Sequence, residues 1–79
     1  MGTEEMKMVY LSPYSLLVYT PNRIIRIYCP FTIISTANLG ELFRHMQYPV
    51  DMVKTLPEGH LAYQIQGEWY YYGSLQIVL

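Results

Sequence analysis

Few side chains in this sequence could carry out covalent or acid–base chemistry. The chain has one cysteine, Cys29, and two histidines, His45 and His60. A cysteine nucleophile needs a nearby base and an electropositive setting that lowers its pKa, and the sequence around Cys29 supplies neither. An enzyme that pairs Cys29 with a histidine is therefore the least favoured of three hypotheses, and the chain is predicted not to be an enzyme.

The sequence also lacks the spacings of a metal or cofactor site. Cys29 and the two histidines do not follow the short separations typical of zinc ligands. The six carboxylates include no spaced acid–base pair. The glycines are isolated, as in turns, and form no phosphate-binding loop. We therefore expect no metal and no cofactor.

The strongest local pattern is a predicted β-hairpin over residues 61–72. Two aromatic-rich runs flank Gln66-Gly67, a pair suited to a two-residue turn that makes Ile65 and Glu68 the closing pair. Alternation then places Trp69 and Tyr71 on one face, opposite Gln64 and Ala62. The other face holds Leu61, Tyr63, Ile65, Tyr70 and Tyr72.

The leading functional hypothesis rests on the face that carries Trp69 and Tyr71. Tryptophan and tyrosine are the side chains most enriched among binding hot spots. This face is interpreted as an aromatic patch of a non-catalytic protein-interaction module, with Arg44 and His45 as rim residues. The module would form a homo-oligomer or dock as an adaptor on a protein partner. In the alternative arrangement, Trp69 lies in the core and the tyrosine face is half exposed; the sequence leaves both open.

Composition favours association. Charged residues make up 14% of the chain, against about 25% in typical soluble domains, and nine residues are tyrosine. Weak repulsion between copies promotes self-association. In the alternative, a monomer buries its tyrosine rings and exposes their hydroxyl edges.

A second functional hypothesis is single-stranded nucleic-acid binding. The net charge of −1 argues against a generally basic binder, because phosphate neutralisation supplies most of the affinity for nucleic acid. However, Arg23 and Arg26 precede Tyr28 in a predicted strand, and basic side chains interleaved with aromatic ones can bind single strands by charge and stacking. In the alternative interpretation, the aliphatic stems of these arginines cover apolar surface of the sheet, which gives the same sequence pattern.

The sequence predicts a cytoplasmic protein. It contains no apolar run long enough for a transmembrane helix, so no membrane association is expected. The N-terminus lacks a basic segment followed by an apolar one, as a secretory signal would have. Cys29 is accordingly expected to be a reduced, inert thiol.

The local patterns predict a mainly β domain with one short helix. Runs rich in β-branched and aromatic residues indicate strands, among them 15–20, 23–28, 31–35 and 50–56. Within 39–47, apolar residues recur at spacings of three and four and Asn38 can cap them, which predicts a helix. A turn centred on Gly40 is the competing interpretation.

These elements predict a single small domain over 1–79, with a flexible N-terminus at 1–6. We expect about six short strands and the helix near 39–47. Short connections favour antiparallel pairing. The predicted fold is a small antiparallel sheet curled into an SH3-like barrel, because closure would hide open strand edges.

Overall fold

The computed structural model of the protein describes residues 6–79. Residues 6–79 fold into nine short strands that form three antiparallel sheets of three strands each. The strands are β1 (Lys7–Ser12), β2 (Ser15–Tyr19), β3 (Ile24–Tyr28), β4 (Phe31–Ser35), β5 (Gln47–Val50), β6 (Met52–Thr55), β7 (Leu61–Ile65), β8 (Glu68–Tyr71) and β9 (Leu75–Ile77). The predicted mainly β class is confirmed.

Sheet I has the strand order β1-β2-β3. Leu16 and Val18 of β2 are fully buried on its inner face, and alternation turns Leu17 and Tyr19 outward. The β2–β3 connection is closed by Thr20, whose N–H donates to the Arg23 carbonyl over 2.8 Å. The strands predicted at 15–20 and 23–28 are therefore confirmed.

Sheet II has the order β5-β4-β9, so the predicted strand 31–35 is its central strand. Phe31 and Ile33 of β4 are buried, and Val50 of β5 lies opposite Phe31. Pro49 lies in the outer strand β5, the position where a residue without an N–H is tolerated in a sheet.

Sheet III has the order β6-β7-β8 and contains the predicted hairpin. Gln66 and Gly67 have φ angles of 54° and 83°, as a two-residue type I′ turn requires. Ile65 pairs with Glu68, and Ala62 pairs with Tyr71, in the predicted register. Tyr72 lies beyond β8, in a short 3-10 helix over Tyr72–Ser74.

Residues 6–79 form no closed barrel, so the predicted SH3-like barrel is wrong. The chain changes sheet at three short connections: Cys29-Pro30 leads from sheet I to sheet II, Asp51 leads from sheet II to sheet III, and the 3-10 helix leads back to β9. Strands separated by so few residues diverge at these corners instead of continuing one ladder. The result is three small sheets around a shared core.

The inner faces of all three sheets supply that core. Its largest buried side chain, Tyr63, is fully enclosed and makes an edge-to-face contact with Phe31, with ring centroids 5.5 Å apart. The other members of the buried cluster are Leu16, Val18, Ile33, Leu42, Val50, Val53, Leu61, Ile65, Leu75 and Ile77.

The helix predicted over 39–47 is wrong, because the described chain has no α-helix and this segment is an ordered loop. Gly40 and His45 adopt positive φ angles of 52° and 73°, which interrupt a right-handed helix. Asn38 Oδ1 accepts from the Arg44 N–H across the loop instead of capping a first turn. The His45 N–H donates to the Ser35 carbonyl of β4, so sheet pairing replaces helical pairing here.

Loop formation changes the environment of the predicted apolar stripe. Leu42 is buried, but Phe43 and Met46 are 67% and 54% exposed. The predicted flexible terminus, 1–6, lies outside the described residues except for Met6, which packs against the core. The strands β1 and β5 have no counterpart among the predicted elements, and the predicted strand 50–56 is shortened to β6.

The buried Tyr63 hydroxyl predicts an unusual mutational effect. Within residues 6–79 it has no hydrogen-bond partner, and an unsatisfied buried hydroxyl costs about 1–3 kcal/mol. We expect Tyr63→Phe to raise the free energy of unfolding by about 1 kcal/mol in urea titrations. The matched control is Tyr48→Phe, which removes a 2.7 Å hydrogen bond from the Phe43 N–H and should lower stability by about 0.5–1.5 kcal/mol. Equal losses in both variants would contradict this assignment.

Candidate protein-interaction surface

The burial pattern decides which face of the hairpin is inside. Tyr63 and Ile65 are fully buried, whereas Trp69 and Tyr71 are 36% and 48% exposed. Ala62, the small residue opposite Tyr71, is buried. The face with Trp69 and Tyr71 is therefore the outer face of sheet III.

Trp69 is held over the sheet by a cation from the far strand. The Lys54 Nζ lies 4.3 Å from the centroid of the Trp69 ring, within the range of a cation–π contact. Lys54 pairs with Ala62 on β7, so β7 separates the two side chains. A large residue at Ala62 would occupy the space between them. The Lys54 ammonium and the Trp69 ring therefore meet across β7.

Tyr71 is held in place by the connection between β6 and β7. Its hydroxyl is hydrogen-bonded to Nδ1 of His60, and its ring centroid lies 5.1 Å from that of Tyr72. Partial burial, with Tyr72 and Glu58 nearby, raises the pKa of the Tyr71 hydroxyl. The hydroxyl therefore remains neutral at neutral pH and can exchange hydrogen bonds with a partner.

Together, these four side chains form what we call the hairpin surface: Lys54, His60, Trp69 and Tyr71. Sequence analysis found the two aromatic residues but missed Lys54 and His60. The register of β6 against β7 brings these two residues to the aromatic pair, and it depends on a pairing between strands that no local pattern specifies.

Arg44 and His45 belong to the ordered loop between β4 and β5. This loop approaches β8 at Gly40, close to the Tyr70 ring, and Tyr70 alternates with Trp69 and Tyr71 along the strand. Among the described residues, no side-chain hydrogen bond or ring contact joins Arg44 or His45 to the hairpin surface. Their assignment as rim residues stays a prediction.

The residues proposed for nucleic-acid binding are only partly brought together. The Arg26 guanidinium lies 5.0 Å from the Tyr28 ring centroid, and its Nη2 donates to Ser15 Oγ over 3.4 Å. Arg26 and Tyr28 share the outer face of sheet I, with Tyr19 at the other end of the same face. Arg23 lies in the β2–β3 turn, outside the strand that carries the other two.

An open cleft of about 710 Å³ adjoins the hairpin surface at His60. It lies where the ends of β1 and β2 meet the start of β7. Its walls combine apolar residues with Lys7 and His60. They are formed by Met6, Lys7, Met8, Tyr19, Thr20, Pro21, Gly59, His60, Leu61 and Tyr72.

Cys29 occupies a poor setting for a nucleophile. It is partly buried and packs against the core. Burial raises the pKa of its thiol, and the negative charge of Asp51 raises it further. Both effects disfavour the reactive thiolate. The residues that the structure describes contain no group of three His, Cys, Asp or Glu side chains arranged to hold a metal ion.

Comparisons with known protein families, curated proteins and solved structures gave no match to this chain. Over residues 6–79 there is no helix with the length and apolar character needed to span a bilayer. Function is therefore inferred from the geometry of the chain.

The setting of Cys29 predicts slow alkylation. Because the pKa of its thiol is raised, less thiolate is present at neutral pH than in an unfolded chain. We expect iodoacetamide to react with folded protein several-fold more slowly than with urea-unfolded protein at pH 7.5, as measured by intact-mass spectrometry. Faster reaction in the folded state would contradict this prediction and support the hypothesis of an enzyme that uses Cys29 as its nucleophile.

Proposed function

We propose that the protein is a non-catalytic protein-interaction module that associates through the hairpin surface. The observation that carries this proposal is the exposure of Trp69 and Tyr71 side by side on a sheet face. Neither ring belongs to the buried core cluster or to the side chains packed against it. An exposed pair of this kind marks a contact surface.

The fixed positions of the two rings add to the case. Lys54 restrains Trp69, and His60 restrains Tyr71. Ordering a flexible side chain on binding costs about 0.5–1.5 kcal/mol, and part of that cost is already met in the free protein. The surface also offers a cation and a hydroxyl at its margin, which suit the polar rim of an interface.

A second copy of the chain is the partner that the composition favours. With charged residues at 14% and a net charge of −1, copies repel each other weakly. The tyrosines supply apolar area and a polar hydroxyl on the same side chain. Homo-oligomerisation is therefore the first form of association to test, ahead of adaptor docking.

Removing the Trp69 side chain should weaken association. Loss of a hot spot costs about 2 kcal/mol or more, so Trp69→Ala is expected to raise the dissociation constant about 30-fold or more. Sedimentation equilibrium over a range of protein concentrations measures this. The control is Tyr28→Ala, which removes an exposed ring from sheet I.

Two results would contradict the proposed function. One is a wild-type protein that remains monomeric at millimolar concentration and binds no protein partner. The other is equal weakening by Trp69→Ala and Tyr28→Ala, which would show that association does not depend on the hairpin surface. Circular dichroism of each variant would confirm that the fold is retained.

A charge separation along the chain favours single-stranded nucleic-acid binding as a second candidate function. The segment from Met6 to Tyr28, which forms sheet I, carries Lys7, Arg23 and Arg26 and no carboxylate. Its outer face also exposes Tyr19 and Tyr28. These rings lie about 13 Å apart along the direction of β2 and β3, a distance that equals the rise of four residues in a β-strand. A flexible single-stranded nucleic acid could therefore stack on both rings.

Mixed-sequence oligonucleotides test this candidate at low salt. Tyr28→Ala should weaken binding by about 1–3 kcal/mol. Arg26→Gln should reduce the slope of log affinity against log salt by roughly 0.7, the contribution of one phosphate contact on a single strand. Trp69→Ala is the control and should leave oligonucleotide affinity unchanged. Absence of binding in fluorescence anisotropy at 20 mM salt would remove this candidate.

A further inference from the structure

The hairpin surface ends in a cluster of rings that contains an imidazole. His60 lies in the connection between β6 and β7, with its ring centroid 5.5 Å from that of Tyr71 and 5.8 Å from that of Tyr72. The backbone also fixes its position, because the Leu56 N–H donates to the His60 carbonyl over 2.7 Å. The fold therefore holds a titratable side chain against one of the two exposed rings of this surface.

Nδ1 of His60 and the Tyr71 hydroxyl share a hydrogen bond, and the protonation state of the imidazole sets its direction. A phenol O–H is a stronger acid than the N–H of a neutral imidazole, so in the neutral state the Tyr71 hydroxyl donates to a bare Nδ1. In an imidazolium both ring nitrogens carry a hydrogen and can only donate. Nδ1 then donates to the Tyr71 oxygen, and the Tyr71 O–H is released to donate to another group.

The groups around His60 do not compensate the charge of an added proton. The titratable and charged side chains beside it come from its own connection and from each neighbouring element: Glu58, Lys54 of β6, Tyr71 of β8, Tyr72 of the 3-10 helix, and Lys7 and Tyr19 of sheet I. Glu58 is the one carboxylate in this set, because Glu68 lies at the opposite end of β8, beside the turn. Two lysines oppose it, so protonation of His60 gives this end of the hairpin surface a net positive charge.

We propose that protonation of His60 reverses its hydrogen bond to Tyr71 and weakens self-association through the hairpin surface. This inference rests on the proposed function and names the regulation of that surface. In a twofold dimer, the commonest homo-oligomer, the same patch lies on both sides of the interface. Each copy therefore brings one additional positive charge, and like charges placed opposite each other disfavour binding. The released Tyr71 O–H also presents a donor where the neutral surface presented an acceptor.

The sign of the pH dependence follows from this arrangement. Because association favours the neutral imidazole, forming the dimer releases protons, and the dissociation constant rises as the pH falls. Histidine is the side chain whose charge ordinarily changes between about pH 5 and pH 8. The chain has two histidines, so measurements at pH 7.5 and pH 5.5 report mainly on His60 and His45.

His45 supplies the matched control. Both histidines are exposed, but His45 lies in the loop between β4 and β5, away from the Tyr71 hydrogen bond. Its φ angle is 73°, a conformation that asparagine tolerates better than most residues. Asparagine does not titrate, so His45→Asn and His60→Asn each remove one ionisable group.

Sedimentation equilibrium at the two pH values tests the effect on association. We expect the dissociation constants of the wild-type protein and of His45→Asn to be about tenfold or more higher at pH 5.5 than at pH 7.5. His60→Asn should have the same constant at both pH values. If His60→Asn no longer associates, equal pH dependence in the other two proteins still assigns the effect to His60.

Nitrogen-15 NMR of the imidazole gives an independent readout in the wild-type protein. At pH 7.5 the chemical shift of His60 Nδ1 should be that of a bare nitrogen that accepts a hydrogen bond, with the hydrogen on Nε2. At pH 5.5 both ring nitrogens should be protonated. This measurement needs no variant and reports the direction of the hydrogen bond directly.

Each outcome decides the inference. A dissociation constant that is the same at both pH values, or lower at pH 5.5, would overturn it and leave the proposed function intact. So would a pH dependence that His45→Asn removes and His60→Asn retains, or an Nδ1 that carries its hydrogen at pH 7.5. A protein that is monomeric at both pH values and captures another protein through Trp69 would overturn the control of self-association. A strict monomer that binds no protein would overturn the proposed function as well.

Discussion

The two-residue turn at Gln66-Gly67 is the constraint on which the candidate site depends. Because side chains alternate along a strand, a shift of one residue in the hairpin register would exchange its two faces. The observed turn places Tyr63 and Ile65 inside and leaves Trp69 and Tyr71 outside. The same turn sets the phase of the backbone hydrogen bonds, so it also determines which amides of β8 face the open edge.

The features that the sequence predicted correctly are those encoded locally. The hairpin register follows from the turn residues and from alternation, and the strand 31–35 follows from its β-branched composition. The helix over 39–47 failed for the opposite reason. Its apolar spacing is helical, but its C-terminal end is joined to β4, because Ser35 exchanges backbone hydrogen bonds with His45 and Met46. A pairing that depends on a distant strand overrides a local periodicity.

The same distinction applies to the site. Trp69 and Tyr71 could be assigned to one face from the hairpin alone, but Lys54 and His60 reach them only because β6 pairs with β7 in one register. The grouping into three sheets has a similar effect on charge. The absence of carboxylates from Met6 to Tyr28 is visible in the sequence, but it becomes a surface property only because that segment forms one sheet.

The architecture itself accounts for the aromatic side chains exposed on the surface. Three sheets around one small core can each bury a single face, so each has an outer face that the chain cannot cover. Tyrosine suits such faces because its ring packs flat on a sheet while its hydroxyl stays hydrated. The exposed rings thus follow from the division of a short chain into three sheets, and association at the hairpin surface would cover those that β8 carries.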